Sequence, residues 1–357
     1  MRAPDAPGPP GSCSRRIPTA PDRSRRREEA IRYLGIDVGG TKVALRVTGD
    51  TDGAGGGDVT FRWPAAGDVT ADLDLLAARV RGLLGHREDP LAGVGVAMPA
   101  ICDAAGTVRT WPGRPSWAGL NLTAAFGQLL PGTPVACADD GDLAALAESR
   151  AADCRHLLYV GVGTGIGGGI VHEGRSWPGP GRGSCEVGHV VVDRSGPRCD
   201  CGRTGCVQAV ASGPATLRRA AERRGRETGF DELASGARLH APWAEAAVDE
   251  SAAALATAVT GICELAHPEL VLVGGGFAAG VPGYVASVAA HVERLTRPGT
   301  DPVRVRPAVL GGRSSLHGAL LLAREAHGRG NRPPESDRVS SDVSFGGVTD
   351  RAVGRSD

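Results

Sequence analysis

His189, Cys199, Cys201 and Cys206 put one imidazole and three thiols within eighteen residues of sequence. A Cys3His set is one of the ligand combinations of closed tetrahedral zinc sites, with sulfur about 2.3 Å from the ion. Gly202 and Gly205 interrupt the cysteines and let the chain double back so that the sulfurs converge. Unrelated buried cysteines are the ordinary alternative, because free thiols behave as small hydrophobes. Four ligands this close, separated by glycines, fit a structural zinc better. Glu186 precedes His189 by three residues, so a carboxylate is held beside whatever the metal orders.

Three glycine-rich turns carry a second chemistry. The first is Asp37-Val38-Gly39-Gly40-Thr41-Lys42. The second runs from Gly161 to Gly169 and frames Thr164 with Gly163, Gly165 and Gly167; the third is Gly274-Gly275-Gly276. Glycines after a strand let backbone N–H groups approach phosphate oxygens, and a hydroxyl and an ammonium add donors. Asp37 stands where a carboxylate can hold Mg2+ through water. One such turn is usually just a hairpin turn, and the chain has 54 glycines. Three of them, each ending a strand and two bearing threonine, describe a nucleotide held between two domains. Lys42 is the single lysine among 40 Lys and Arg residues, which points to a use for a compact ammonium there.

Asp139 and Asp140 open a helix directly after a short strand. One carboxylate at a helix N-terminus is an ordinary N-cap. Two at the carboxyl end of a strand, beside phosphate turns, equally suit a general base for a hydroxyl nucleophile. The residues alone leave these readings balanced.

The elements that must position these groups alternate between strand and helix. Strands are expected at 31–37, 43–48, 59–63, 93–97, 134–138, 156–162, 167–172 and 270–273, and helices at 70–84, 121–130, 140–150, 214–224, 243–266, 281–294 and 314–325. A glycine-linked strand pair opens the pattern and recurs at 156–172. That repeat predicts two related α/β domains with a cleft between them. The boundaries expected are a disordered extension at 1–30, an N-terminal domain at 31–150, a C-terminal domain at 151–326 and a disordered tail at 327–357. A hydrophobic content of 41% over 357 residues is enough for one large or two medium cores. The formal net charge is zero, which gives no general pull toward nucleic acid or membrane. No apolar run approaches the roughly twenty residues of a membrane helix. Nine cysteines with no leader ahead of them, three in the metal pattern and the rest scattered, are expected in a reducing cytoplasm.

From about Arg32 to Ala326 the chain resembles the ROK family of repressors, open reading frames and kinases, within the actin-like sugar-kinase superfamily. The resemblance implies an α/β, two-domain actin-like (ribonuclease H-like) sugar-kinase fold with an interdomain cleft and a zinc-binding loop. It makes Asp37–Lys42 and Gly163–Gly169 the ATP phosphate loops and Gly274–Gly276 the nucleoside-side glycines. Asp140 is by resemblance the catalytic base, with Gly113, Asp139, Glu186, His189 and Gln208 at the positions that meet the sugar. ATP, Mg2+ and a structural Zn2+ are the implied cofactors, and a homodimer the implied assembly.

Three departures from the family pattern concern the acceptor. Asp139 stands where the family usually has Asn, Gly113 where an Asn usually precedes the sugar loop's tryptophan, and Gln208 where a Glu usually follows the last zinc cysteine. A carboxylate only accepts hydrogen bonds, whereas an amide also donates and can meet a ketone or an ether oxygen. Some relatives phosphorylate C7-cyclitols of the 2-epi-5-epi-valiolone type, which carry a ring ketone and a primary hydroxyl. A cyclitol kinase of aminocyclitol biosynthesis giving a 7-phosphate is therefore the leading expectation and a glucokinase the alternative. A sugar-responsive regulator without catalysis is the reading from another class. ROK repressors carry a winged-helix domain ahead of the first glycine turn, and only about thirty residues without helical periodicity precede it here.

Overall fold

The computed structural model describes residues 31–49, 56–64, 67–85, 91–179 and 182–330. The expected disorder of 1–30 and of the stretch beyond 330 lies outside those residues. In chain order the elements are β1 (Arg32–Val38), β2 (Lys42–Gly49), β3 (Gly57–Arg62), α1 (Val69–Leu84), β4 (Leu91–Ala97), β5 (Ile101–Cys102), β6 (Val108–Thr110), α2 (Leu122–Leu129), β7 (Val135–Ala138) and α3 (Asp140–Ala151). They continue with β8 (Leu157–Val162), β9 (Ile166–His172), β10 (Arg175–Trp177), α4 (Val207–Ala211), α5 (Gly213–Arg224), α6 (Phe230–Arg238), α7 (Pro242–Ala266), β11 (Leu270–Gly274), α8 (Gly276–Gly280), α9 (Tyr284–Leu295), β12 (Arg304–Pro307) and α10 (Ser314–Gly330).

Two five-stranded sheets repeat one topology. Their orders are β3-β2-β1-β4-β7 and β10-β9-β8-β11-β12. Each begins with an antiparallel hairpin, β1–β2 or β8–β9, and then adds two parallel strands. The central parallel strands β1, β4 and β11 are mostly buried and read as near-continuous apolar runs, as strands covered on both faces do. Asp37 pairs with Ala97 and Ala97 with Ala138, so β1, β4 and β7 end together. In the second sheet Gly161 lies beside both Gly167 and Gly274, placing two glycine turns at the corresponding edge.

Two helices cross between the sheets. α3 follows the first sheet in sequence yet packs on β8, β9 and β10 of the second. α10, last in sequence, returns to β1, β4 and β7 of the first and packs against α3 on the way. At the crossing, a Cβ on Gly318 would run into the carbonyl oxygen of Leu143, so only a glycine lets the two helix backbones touch. Glu148, fully buried in α3, accepts hydrogen bonds from the backbone N–H groups of Val309 (2.7 Å) and Leu310 (3.0 Å) and from Ser314 Oγ (2.6 Å).

Some elements differ from expectation. The helix expected at 281–294 begins at Tyr284, where Gly283, at a φ of 78°, is its N-cap and breaks any helical continuation from α8. α10 runs on to Gly330, past the expected start of the tail. α6, with an exposed Arg238 end and only nine residues, and β12, whose apolar positions are interrupted by Arg304 and Arg306, have no counterpart in the sequence pattern. α7, at 25 residues, is long and apolar enough by composition to cross a membrane. Its alanine- and valine-rich face, from Ala244 to Val259, is buried against α4, α5, α6 and α9, which accounts for that composition.

Candidate active site and metal centre

The first glycine turn joins β1 to β2. The N–H of Gly39 donates to the carbonyl of Lys42 (2.9 Å), and Trp63 Nε1 donates to the Gly39 carbonyl (2.9 Å) from the end of β3. Thr41 and Lys42 remain exposed at the tip, while Asp37 is half-buried at the end of β1. A cavity of about 310 Å³ opens beside Asp37 and Lys42, walled by Arg313 and Leu316. The second turn is closed by Gly163 N–H on Gly165 O (2.9 Å), and Gly213 N–H at the start of α5 donates to Gly163 O (2.9 Å). Thr164 is exposed there. In the third turn Gly275 adopts a φ of 86° with its Cα against the backbone of Val162, bringing the turns after β8 and β11 together.

Asp139 and Asp140 leave the first sheet at the same edge as Asp37. Asp139 caps α3, its Oδ1 accepting from Gly141 N–H (3.0 Å) and Asp142 N–H (3.2 Å). A Cβ on Gly141 would be only 2.5 Å from Gly168 O, so the first turn of α3 lies directly on the glycine-rich strand β9. The structure thereby gathers Asp37, Asp139, Asp140 and Glu186. It adds Asp142, which the sequence analysis did not single out; its only sequence signal is a third acid within the first turn of α3. Burial pushes the Asp142 carboxyl up to about 7, with Asp139 and Glu186 adding to the shift. Asp37 is pushed up to about 6 by burial, with Lys42 pulling the other way. Asp140 is raised by burial and by the charges of Asp37 and Glu186; Asp139 is raised by burial and by Asp140 and Glu186. Carboxylates this close and this enclosed oppose one another's ionisation.

The wall beside them is the Glu186–His189 turn. Cys185 N–H donates to Asp142 Oδ1 (3.4 Å), and His189 N–H to Glu186 O (3.0 Å), so α3 and the turn are tied together. Ser184 Oγ donates to Glu186 Oε1 (3.2 Å). Gln208, on α4, accepts from Ile166 N–H through Oε1 (3.0 Å) and so joins this wall to the second glycine turn. Gly113 packs with its bare backbone on Gly40, where a Cβ would be 3.0 Å from the Gly40 Cα. Its loop is anchored by a long-range pairing with Asp72 that has no signature in the sequence. Buried Arg114 donates to Asp72 Oδ1 (2.8 Å) and to Pro64 O (3.1 Å), and Trp117 Nε1 donates to Asp72 Oδ2 (3.0 Å). No local pattern could have paired residues about forty positions apart.

His189, Cys199, Cys201 and Cys206 converge, their ligand atoms all within 4.8 Å of one another. Cys201 Sγ lies 3.6 Å from Cys206 Sγ, and His189 Nδ1 3.7 Å from Cys199 Sγ. The edge of a tetrahedron with ligands about 2.3 Å from its centre is about 3.7 Å, so this donor set fits zinc. Gly202 (φ 91°) and Gly205 (φ 75°) make the reversals, and Arg203 Nη1 donates to His189 O (3.2 Å) across the loop. Because Nδ1 faces the sulfurs, the His189 Nε2 faces away from them.

Residues 33–326 match the ROK family over their whole length. The chain belongs to the ROK family. Among curated relatives, the kanosamine kinase of Amycolatopsis mediterranei is 53% identical over 291 residues, spanning 82% of this chain and 95% of that protein. The N-acetylmannosamine kinase of Vibrio vulnificus is 30% identical over 304 residues, 83% of this chain and 99% of that protein. Among solved structures, the ROK glucokinase of Streptomyces griseus in complex with glucose and AMPPNP superposes with a TM-score of 0.70 at 26% identity, covering 82% of this chain and 99% of that one. As a ROK kinase the chain is an ATP-dependent sugar kinase, a phosphotransferase with an alcohol acceptor. Its two repeated sheets are those of the two-domain actin-like fold.

Proposed function

We propose that this ROK kinase transfers the γ-phosphoryl of ATP to the primary hydroxyl of an amino-hexose of the kanosamine type. The observation that carries the reading is the 53% identity to a kanosamine kinase. Kanosamine is glucose with an amino group in place of one ring hydroxyl, and it keeps the 6-hydroxyl as nucleophile. This acceptor replaces the C7-cyclitol expected from Gln208. With Oε1 held by the Ile166 N–H, the amide offers Nε2 as a donor. A donor serves a pyranose ring oxygen or a hydroxyl lone pair as well as it serves a ketone, so the glutamine does not select a cyclitol.

In this reading Asp140 takes the hydroxyl proton as the phosphoryl transfers in line. Its raised proton affinity matches a base that works near neutral pH. The turns at Gly39–Lys42 and Gly163–Gly167 supply N–H, hydroxyl and ammonium donors to the phosphates, and Gly274–Gly276 receives the nucleoside side. Asp37 would hold a nucleotide-bound Mg2+ through water, which neutralises phosphate charge. Zinc held by His189 and the three cysteines would keep the acceptor wall folded. Glu186, His189 Nε2, Gln208 Nε2 and Asp139 face the acceptor, and Gly113 leaves room for it.

The test is a coupled ADP-release assay of the zinc-loaded protein over kanosamine, glucose, N-acetylmannosamine and a C7-cyclitol ketone. Kanosamine is expected to give a kcat/KM at least about tenfold above each of the others, the scale of discrimination one functional group supports. A higher value for glucose or the cyclitol overturns the reading.

A further inference from the structure

The carboxylate of Asp139 is more than the helix cap requires. Asn and Asp cap helices about equally well. The capping here uses Oδ1 alone, bonded to Gly141 and Asp142 N–H, and no hydrogen bond to Oδ2 is found among the described residues. An asparagine would keep both cap bonds through its carbonyl oxygen and would add no charge. Instead, a half-buried acid stands next to Asp140 and is bonded by the N–H of Asp142, whose own Oδ1 accepts from Cys185 N–H, the neighbour of Glu186. Burial and then the charge of Asp140 act most strongly on Asp139, followed by the opposing N–H of Asp142 and the charge of Glu186. Lys42, in the first glycine turn, acts on Asp37. A half-buried charge crowded by like charges is costly unless a counter-charge meets it.

We infer that Asp139 is a specificity-determining residue, whose free carboxylate oxygen receives the ammonium group of an amino-hexose acceptor. The inference rests on the amino-hexose reading above and deepens it by naming the side chain that distinguishes an ammonium from a hydroxyl. The acceptor brings the missing positive charge, and the acidic cluster that disfavours the empty site becomes complementary to the filled one. Asp140, adjacent in sequence and first in α3, stays the base. Its proton acceptance is unaffected in kind, because the ammonium occupies Asp139. The same arrangement predicts that acetylating the amine, which removes its charge and adds bulk, abolishes recognition.

The experiment compares wild type and Asp139→Asn by the ratio of kcat/KM for kanosamine to kcat/KM for glucose, with N-acetylkanosamine as a third acceptor. Wild type is expected to favour kanosamine. In Asp139→Asn the ratio is expected to fall by about 30-fold or more, mainly through a higher KM for kanosamine, as when one member of an enclosed charge pair is neutralised. A merely structural role would lower both substrates together and leave the ratio unchanged. A preserved ratio in a variant that melts like wild type overturns the inference while the amino-hexose reading stands. Failure of wild type itself to prefer kanosamine over glucose overturns the reading and the inference with it. Turnover of N-acetylkanosamine comparable to kanosamine also overturns the inference, since no ammonium would then be needed.

Discussion

Replacing Glu148 by glutamine tests the clamp between α3 and the segment leading into α10. Glu148 Oε1 accepts from Leu310 N–H and Ser314 Oγ, and Oε2 accepts from Val309 N–H at 2.7 Å. A carboxylate can take all three donors, whereas an amide has a single acceptor oxygen. If that oxygen keeps Leu310 and Ser314, the NH2 faces the Val309 N–H donor to donor. Orphaning one buried donor costs about 1–3 kcal/mol, and the surviving bonds lose their charge assistance. The Val309 residue is 58% exposed, so water recovers part of its N–H bond and the lower half of that range applies. The expected loss is about 1.5–3 kcal/mol, or a fall in Tm of roughly 2–5 °C for a chain of this size. Differential scanning calorimetry of zinc-loaded protein at pH 7.5 measures it, with Ser314→Ala and the double variant completing a cycle. The two changes share one hydrogen bond, so they should be less than additive. A Tm within about a degree of wild type would refute the reasoning, because the clamp would then contribute nothing net.

Asp140→Asn should lower kcat by about 10²- to 10⁴-fold while nucleotide binding, followed by fluorescence titration, and zinc content stay as in wild type. Full activity in that variant would remove Asp140 from the base role. The raised carboxyls give pH effects of opposite sign on activity and stability. A base with raised pKa loses activity as pH falls below neutral, so kcat/KM should drop between pH 7.5 and 5.5. The same groups bind protons more tightly folded than unfolded, so they favour the fold at low pH and this contribution is lost as pH rises through about 6 to 7, the values of Asp37 and Asp142. The ligand-free protein should therefore gain less stability than usual, or lose it, from pH 5.5 to 8; parallel curves for activity and melting would count against the cluster. Stripping the metal with a chelator should lower Tm and raise the acceptor KM more than the ATP KM, with elemental analysis tracking the zinc. Arg114→Met, which among the described residues leaves buried Asp72 with Trp117 as its side-chain partner, should destabilise by about 3–5 kcal/mol, read by calorimetry.

The parts of the site made of neighbours in sequence were legible before any coordinates. The zinc ligands span 189–206, each glycine turn is contiguous, and Asp139-Asp140 sits at a strand-to-helix junction. Strand and helix periodicity located β1, β2, β4 and α7 to within a few residues because their apolar runs are long. What escaped is non-local. Arg114 and Asp72 meet through tertiary packing, Glu148 reaches a loop more than 160 positions away, and α10 crosses back to the first sheet. Asp142 was hidden for another reason, since acids in a first helical turn are so common that one more carries little signal. The cyclitol expectation treated Gln208 as an isolated amide, whereas its Oε1 accepts from Ile166 N–H, 42 positions earlier.

The helix crossing has a geometric consequence for any rotation of one sheet against the other. Leu143, where α3 touches Gly318 of α10, is three residues from Asp140, a separation of about 4.5 Å along a helix. A point that near the pivot scarcely moves: a 10° turn carries it less than about 1 Å, against about 3.5 Å for an atom 20 Å out, such as one at the far rim of a lobe. Asp140 therefore stands at the axle and not on the spokes. In a rotation about that contact Asp140, the proposed proton acceptor, would keep its place while the far rims swing.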